Sequence, residues 1–107
     1  MSATIARSWT ARATPAGTEA YCDFFAGTLV PALAKIDGHR GALVLTRPEG
    51  EAVAITVVTF WASMEAVAAF AGARPERAVV EPEARAVLAS FDAEVRHAAV
   101  RVDTHVP

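Results

Sequence analysis

His97 stands in the middle of an alternating run, EVRHAAVRVD, with Val95 and Ala99 close by on the same strand, so its imidazole is expected to be partly buried. Such a ring can serve as a general base near neutral pH, or it can be a core histidine with one nitrogen satisfied. His39 follows Gly38, where the end of a preceding helix would favour the charged ring; it reads as a second base or as the exposed start of a strand. His105 belongs to the chain end and is given no role.

The aromatic residues offer flat surface rather than proton transfer. Trp61 closes an apolar run and can form a ring-stacking wall with its indole N–H as donor, or it can be plain packing. Trp9 carries the same two readings. Tyr21, beside Phe24 and Phe25, is either core with its hydroxyl at a rim or a substrate contact, and Phe70 is a further candidate for a pocket wall. Arg74 and Arg77 follow a short helix and can present cations to an anion, or remain solvated; Arg77 and Glu81, four apart, can also pair with each other. Cys22 has no His or cation placed beside it and reads as a buried helix residue, not a nucleophile.

These residues must be positioned by six elements. Thr4 to Arg12 reads as a first strand, and Thr14-Pro15 as a helix start with the hydroxyl as cap. Apolar residues at three- and four-residue spacing predict one long helix over Pro15 to Asp37, kinked at Pro31 and ended by Gly38. His39 to Arg47 and Val53 to Trp61 read as a hairpin turning at Pro48-Glu49-Gly50. Ser63 starts a second helix that Gly72 ends, with Val67 and Phe70 towards the sheet, and Ala73 to Glu76 is a short connection. Pro82 begins a further helix with Ala86, Val87 and Phe91 on its buried side. Glu94 to Asp103 is the last strand, and Thr104 to Pro107 is expected to fray.

The order strand, helix, strand, strand, helix, strand is that of a single α+β ferredoxin-like domain, βαββαβ, with both long helices on one face of a four-stranded antiparallel sheet. The strand Val53 to Trp61 is apolar on both sides, and one helical layer covers only one of them. A homodimer packed through the other sheet face is therefore expected.

Composition limits the function classes. A net charge of −2 with interspersed signs gives no nucleic-acid signal, and no segment approaches the length of apolar chain that a membrane span needs. A single cysteine excludes an intramolecular disulfide and a thiol zinc cluster and fits a reducing, cytoplasmic setting. There is no Asn, no Gln and one Lys. The expected partner is a small apolar or aromatic molecule, or another copy of the chain.

Three segments, VVTFWASMEAVAAFAG, LVPALAKIDGHRGALVLTR and RAVVEPEARAVLASFDAEVRHAAV, together resemble the antibiotic biosynthesis monooxygenase family of dimeric α+β barrels over nearly the whole chain. That family includes haem-degrading enzymes, quinol monooxygenases and cofactor-free oxygenases. The haem-degrading pattern of a first-strand Asn, a Trp late in the second helix and a His soon after it is not met, since the chain has no Asn, the Trp position falls on Phe70 and the ligand position falls near Val80. Trp61 fits the pocket-side tryptophan of the cofactor-free members, although their Asn partner is missing. The resemblance implies a cofactor-independent monooxygenase acting with molecular oxygen on a small aromatic, anthrone or quinol-type substrate, with no metal and no bound cofactor. Two alternatives stand beside it: a non-catalytic small-molecule-binding or stress-related dimeric module of the same fold, and an isomerase or cyclase-like enzyme using His97 as a proton shuttle.

Overall fold

The computed structural model describes residues 4–104. His105 lies outside them. The centre of the sheet is β1 (Ile5–Ala13), paired antiparallel along its whole length with β3 (Ala52–Trp61), from Ile5 opposite Trp61 to Ala13 opposite Val53. β2 (His39–Glu49) forms one edge on β3, while β4 (Ser90–Phe91) and β5 (Arg96–Ala99) share the other edge on β1. The sheet is antiparallel throughout, and the architecture is the expected α+β ferredoxin-like one. The hairpin turn lies at Gly50-Glu51, two residues beyond its expected start, with Gly50 at φ +63° as a tight two-residue turn requires. Pro48 stays in the ladder, which it can do because β2 is an edge strand.

Thr14 caps α1 (Pro15–Phe24), its hydroxyl accepting the Gly17 N–H at 3.0 Å. The single helix expected over Pro15 to Asp37 is instead built in three parts. A π-helical turn (Phe25–Leu29) joins α1 to α2 (Val30–Ala34), and the Val30 N–H reaches back to the Phe25 carbonyl. Pro31, which has no N–H to continue the ladder, sits in the first turn of α2, so the wide turn lies just ahead of the residue that disturbs it. The helix stops at Ala34, short of Asp37, and Gly38 at φ +87° completes the exit.

Ser63 caps α3 (Met64–Ala71), and Gly72 at φ +86° ends it. α4 (Pro82–Val87) is shorter than expected; it buries Ala84 while Ala86 is exposed, and Phe91 belongs to β4. The last strand also differs from the run Glu94 to Asp103. Asp92 still donates its N–H to the Thr10 carbonyl of β1 at 3.0 Å, but residues 93–95 leave that strand because another backbone competes for them: the Val95 N–H donates to the Glu76 carbonyl at 2.8 Å and the Ala78 N–H to the Ala93 carbonyl at 2.9 Å. Beyond Val100, whose N–H bonds to the Thr4 carbonyl, β1 offers no further partner among the described residues.

All helices pack on one sheet face. Ile55, Val57 and Trp61 of β3 and Ala13 of β1 meet Tyr21, Phe25, Leu33, Val67 and Ala84 there. On the opposite face Leu43 and Leu45 are exposed and their neighbours Val58 and Phe60 half-buried, while the Arg12–Glu49 ion pair, 2.6 Å, marks its polar end.

Gly38 is where helix, β2 and the start of α3 converge. Its carbonyl accepts the Ala62 N–H at 2.7 Å, and a β-carbon there would lie 2.6 Å from that of Ala66. Gly38→Ala is therefore expected to destabilise the fold by about 1–3 kcal/mol in urea denaturation. Gly27→Ala, with open space around it, is expected to be neutral or stabilising.

Candidate active site

A cavity of about 220 Å³ lies between the inner sheet face and the helices. β1 and β3 supply its floor through Arg7, Trp9, Val57 and Thr59, and Tyr21, Phe25, Leu29 and Leu33 form one wall. Phe70 and residues 78–81 close the other side. The lining is mostly apolar. Its size sits below the range of roughly 300–1,000 Å³ usual for drug-sized ligands, which suits a compact ring system.

Arg7, to which residue type and spacing assign no role, is the exception in this apolar wall. It is buried, with 5% of its surface exposed. Its Nη1 donates to the Pro75 carbonyl and lies 3.0 Å from His97 Nε2, and its Nη2 donates to the Arg77 carbonyl at 2.8 Å. The guanidinium carbon stands 5.7 Å from the centre of the Phe70 ring. Among the described residues no carboxylate pairs with it. Burial lowers its pKa, yet a guanidinium stays charged at any ordinary pH. The cavity wall thus carries a positive charge held by two carbonyls and a neutral imidazole.

That arrangement decides what His97 does. Arg7 can only donate, so His97 Nε2 accepts and the ring proton belongs on Nδ1. Burial pushes its pKa below the usual imidazole range, the Arg7 charge adds to this, and Glu76 opposes it. His97 stands behind Arg7 and does not line the cavity.

Trp61 is also one layer back. It is fully buried, donates its N–H to Thr59 Oγ1 at 2.8 Å and stacks on Phe70 at 5.1 Å between centroids. It orients two residues that do line the cavity. His39 packs edge-on against Trp61 at 5.0 Å, and its Nδ1 is sealed without a partner. Burial lowers its pKa, opposite to the direction expected from a helix end, because the helix has already stopped at Ala34 and the ring turns inward. Trp9 lines the cavity with its N–H already given to the Asp92 carbonyl at 2.7 Å, so only its ring face is on offer. Tyr21 lines it too, its hydroxyl pKa pushed up by burial and by Glu81.

Arg74 and Arg77 have exposed side chains outside the cavity, and Arg77 contributes through its carbonyl. The Arg77–Glu81 pair does not form. Glu81 instead lines the cavity, and burial pushes its carboxyl above the usual range, its own backbone N–H opposing this and the charge of Glu83 adding to it. Among the described residues no three His, Cys, Asp or Glu side chains are grouped to hold a metal ion. Cys22 is half-buried and its thiol pKa is raised by burial.

The sequence did contain a signal for Arg7. It shares a strand face with Ile5, Trp9, Ala11 and Ala13, and a charge on an otherwise apolar face needs a reason. Glu81, placed before Pro82, gave none beyond its position.

The depressed histidine pKa values have a consequence for stability. The fold favours neutral rings, so the stabilisation is complete above the unfolded pKa, begins to fade as pH drops below it, and is gone once pH has fallen through the lower folded value. The urea midpoint is expected to fall between about pH 8 and about pH 5, and to fall less in His97→Gln, which keeps an acceptor for Arg7 but does not titrate. Equal falls in the two proteins would show that His97 carries none of the effect.

No family model and no curated protein sequence matches the chain. Solved structures do. One, of a candidate antibiotic biosynthesis monooxygenase from Bacillus cereus, superposes with a TM-score of 0.62 at 17% identity, covering 97% of this chain and 99% of that one. A second candidate of the same description, from Chloroflexus aurantiacus, gives 0.54 at 20% identity over 96% and 97%. A monooxygenase from Streptomyces coelicolor, solved with nanaomycin D, gives 0.55 at 12% identity over 99% and 92%. The chain has the fold of these monooxygenase structures along essentially its whole length.

Proposed function

We propose that the protein is a cofactor-independent monooxygenase that oxidises a small electron-rich aromatic, of anthrone or quinol type, with molecular oxygen. The observation that carries this reading is the buried, carboxylate-free Arg7 on the wall of an apolar cavity. A further support is that the same fold occurs in structures described as monooxygenases, one of them holding nanaomycin D.

The chemistry asks little of the protein. Once the ring substrate has lost a proton, it can itself give electrons to oxygen. In an anthrone one oxygen atom enters the ring carbon as a carbonyl, and the other leaves as water with the two hydrogens that carbon carried. In a quinol one oxygen atom enters a ring C–H bond to give a hydroxyl, and the other leaves as water with the two hydroxyl hydrogens as the ring becomes a quinone. The protein must exclude water, hold the ring flat and stabilise the oxyanion that forms before oxygen reacts. Trp9 and Phe70 offer ring faces, and Arg7 offers a preorganised charge in a low-dielectric wall, where it acts more strongly than in water. His97, Pro75 and Arg77 position Arg7.

We further propose that two copies pair through the open sheet face. Leu43 and Leu45 are exposed there beside half-buried Val58 and Phe60, and pairing would remove this apolar surface from water.

Oxygen uptake with anthrones and hydroquinones is expected for the wild type. Arg7→Met should lower kcat by roughly 10²–10³-fold with a smaller change in KM, and Arg7→Lys by less, with folding verified by circular dichroism. No uptake with any ring substrate would sink the proposal, and turnover without oxygen consumption would identify an isomerase. Light scattering should give a dimer mass for the wild type and a monomer mass for Leu43→Asp combined with Leu45→Asp; a monomeric wild type would refute the pairing.

A further inference from the structure

We infer that Arg7 and Glu81 act as a separated charge pair for one class of ligand, a conjugated ring with an acidic hydrogen at one end and an oxygen at the other. Glu81 takes the proton, and Arg7 receives the negative charge that the ring carries to its far oxygen. The inference rests on the proposed reading of the cavity as a site for electron-rich rings and adds the proton acceptor that reading lacks.

The two groups line the same cavity from opposite layers, Arg7 from the central strand and Glu81 from the segment entering α4. Neither is neutralised. Glu81 occupies the N-cap position of α4, yet its side chain makes no cap hydrogen bond, and it forms no ion pair among the described residues. The neighbouring cations are occupied elsewhere. Arg85 gives its Nε to the Val80 carbonyl at 3.3 Å and lies 5.2 Å over the Phe91 ring, while the Arg77 side chain is exposed outside the cavity and forms no ion pair with Glu81.

Opposite charges in an apolar cavity attract strongly, and a mobile pair would close into a salt bridge. The fold prevents this. Two carbonyls and His97 anchor Arg7 at one site, and Glu81 is held at the start of a helix by Pro82. A ligand that separates charge along its own ring can satisfy both groups, whereas an aliphatic acid or a simple cation can satisfy only one. Tyr21 is a poor rival for the proton, because its hydroxyl is buried and lies in the field of Glu81, and both raise its pKa. The burial that raises the Glu81 carboxyl makes it a stronger base than a solvated glutamate.

The step balances without an oxidant. The ligand O–H bond, or the C–H bond para to a ring carbonyl, breaks with its electron pair left on the ligand. The proton becomes that of a neutral Glu81 carboxylic acid, and the charge moves through the ring to the oxygen beside Arg7.

The test uses para-nitrophenol, whose ionised form has its own visible band, at a pH about one unit below its own ionisation, where roughly nine-tenths of the free ligand is neutral, and without any turnover. On the wild type the phenolate band is expected to appear on binding, with no net proton passed to the buffer, as measured by calorimetry in two buffers of different ionisation enthalpy. Glu81→Gln, nearly isosteric, should still bind the phenolate but release one proton per molecule bound. Arg7→Met and Arg7→Lys should lose the band wholly and partly. The inference is overturned if nitrophenol fails to bind, if it binds as the neutral phenol, if the wild type releases the same proton as Glu81→Gln, or if Glu81→Gln releases none. A phenolate band with no oxygen uptake on any substrate would leave the charge pair standing and remove the oxygenase reading. Undiminished uptake in Glu81→Gln would do the reverse.

Discussion

A guanidinium placed on the inner face of a central strand has to be solvated by something, and in this chain it is not a carboxylate. Arg7 is enclosed on a face otherwise made of Ile5, Trp9, Ala11 and Ala13, so the surrounding chain must bring it carbonyl oxygens. Those come from Pro75 and Arg77, and much of the local architecture answers to that demand. The segment after α3 comes in at the sheet edge to reach the charge, and there its own backbone takes the hydrogen bonds of residues 93–95. The edge strand is therefore broken into β4 and β5. The chain that leaves the Arg7 site runs on as residues 78–81, which close the cavity. One unneutralised charge thus links the broken strand, the cavity wall and the role of His97.

The electrostatics of the cavity follow from the same constraint. A buried cation paired with a buried carboxylate would present little net field to a ligand, and its desolvation would be largely offset within the protein. Carbonyl dipoles hold the guanidinium in place without cancelling its charge. The field of Arg7 remains available in the cavity, with Glu81 as a second, separate pole. Aromatic surface from Trp9 and Phe70 completes the lining, and Trp61 and His39 form the packed layer that supports Phe70 and Thr59.

The fold was legible in the sequence where local patterns carry it. The apolar strand Val53 to Trp61, the capped helix starts at Thr14 and Ser63 and the glycine exits at Gly38 and Gly72 all stand where their chemistry placed them. What stayed hidden depends on contacts distant in sequence. The break between β4 and β5 is imposed by residues some seventeen positions earlier, and the polar anchor of Arg7 lies roughly seventy positions away. His97 and Trp61, whose residue types most readily suggest chemistry, fold into supporting positions. Arg7 and Glu81, ordinary surface types in most chains, became the polar lining because the topology buried them.

The π-helical turn between Phe25 and Leu29 has a geometric consequence for the cavity. Tyr21, Phe25, Leu29 and Leu33 are spaced four apart, and in a regular α-helix each such step advances about 40° beyond a full turn, so the row would wind off the ligand face within three steps. A wider turn in mid-row sets the phase back. All four side chains line the cavity, and the defect ahead of Pro31 lessens the drift that would otherwise turn the last of them away from it.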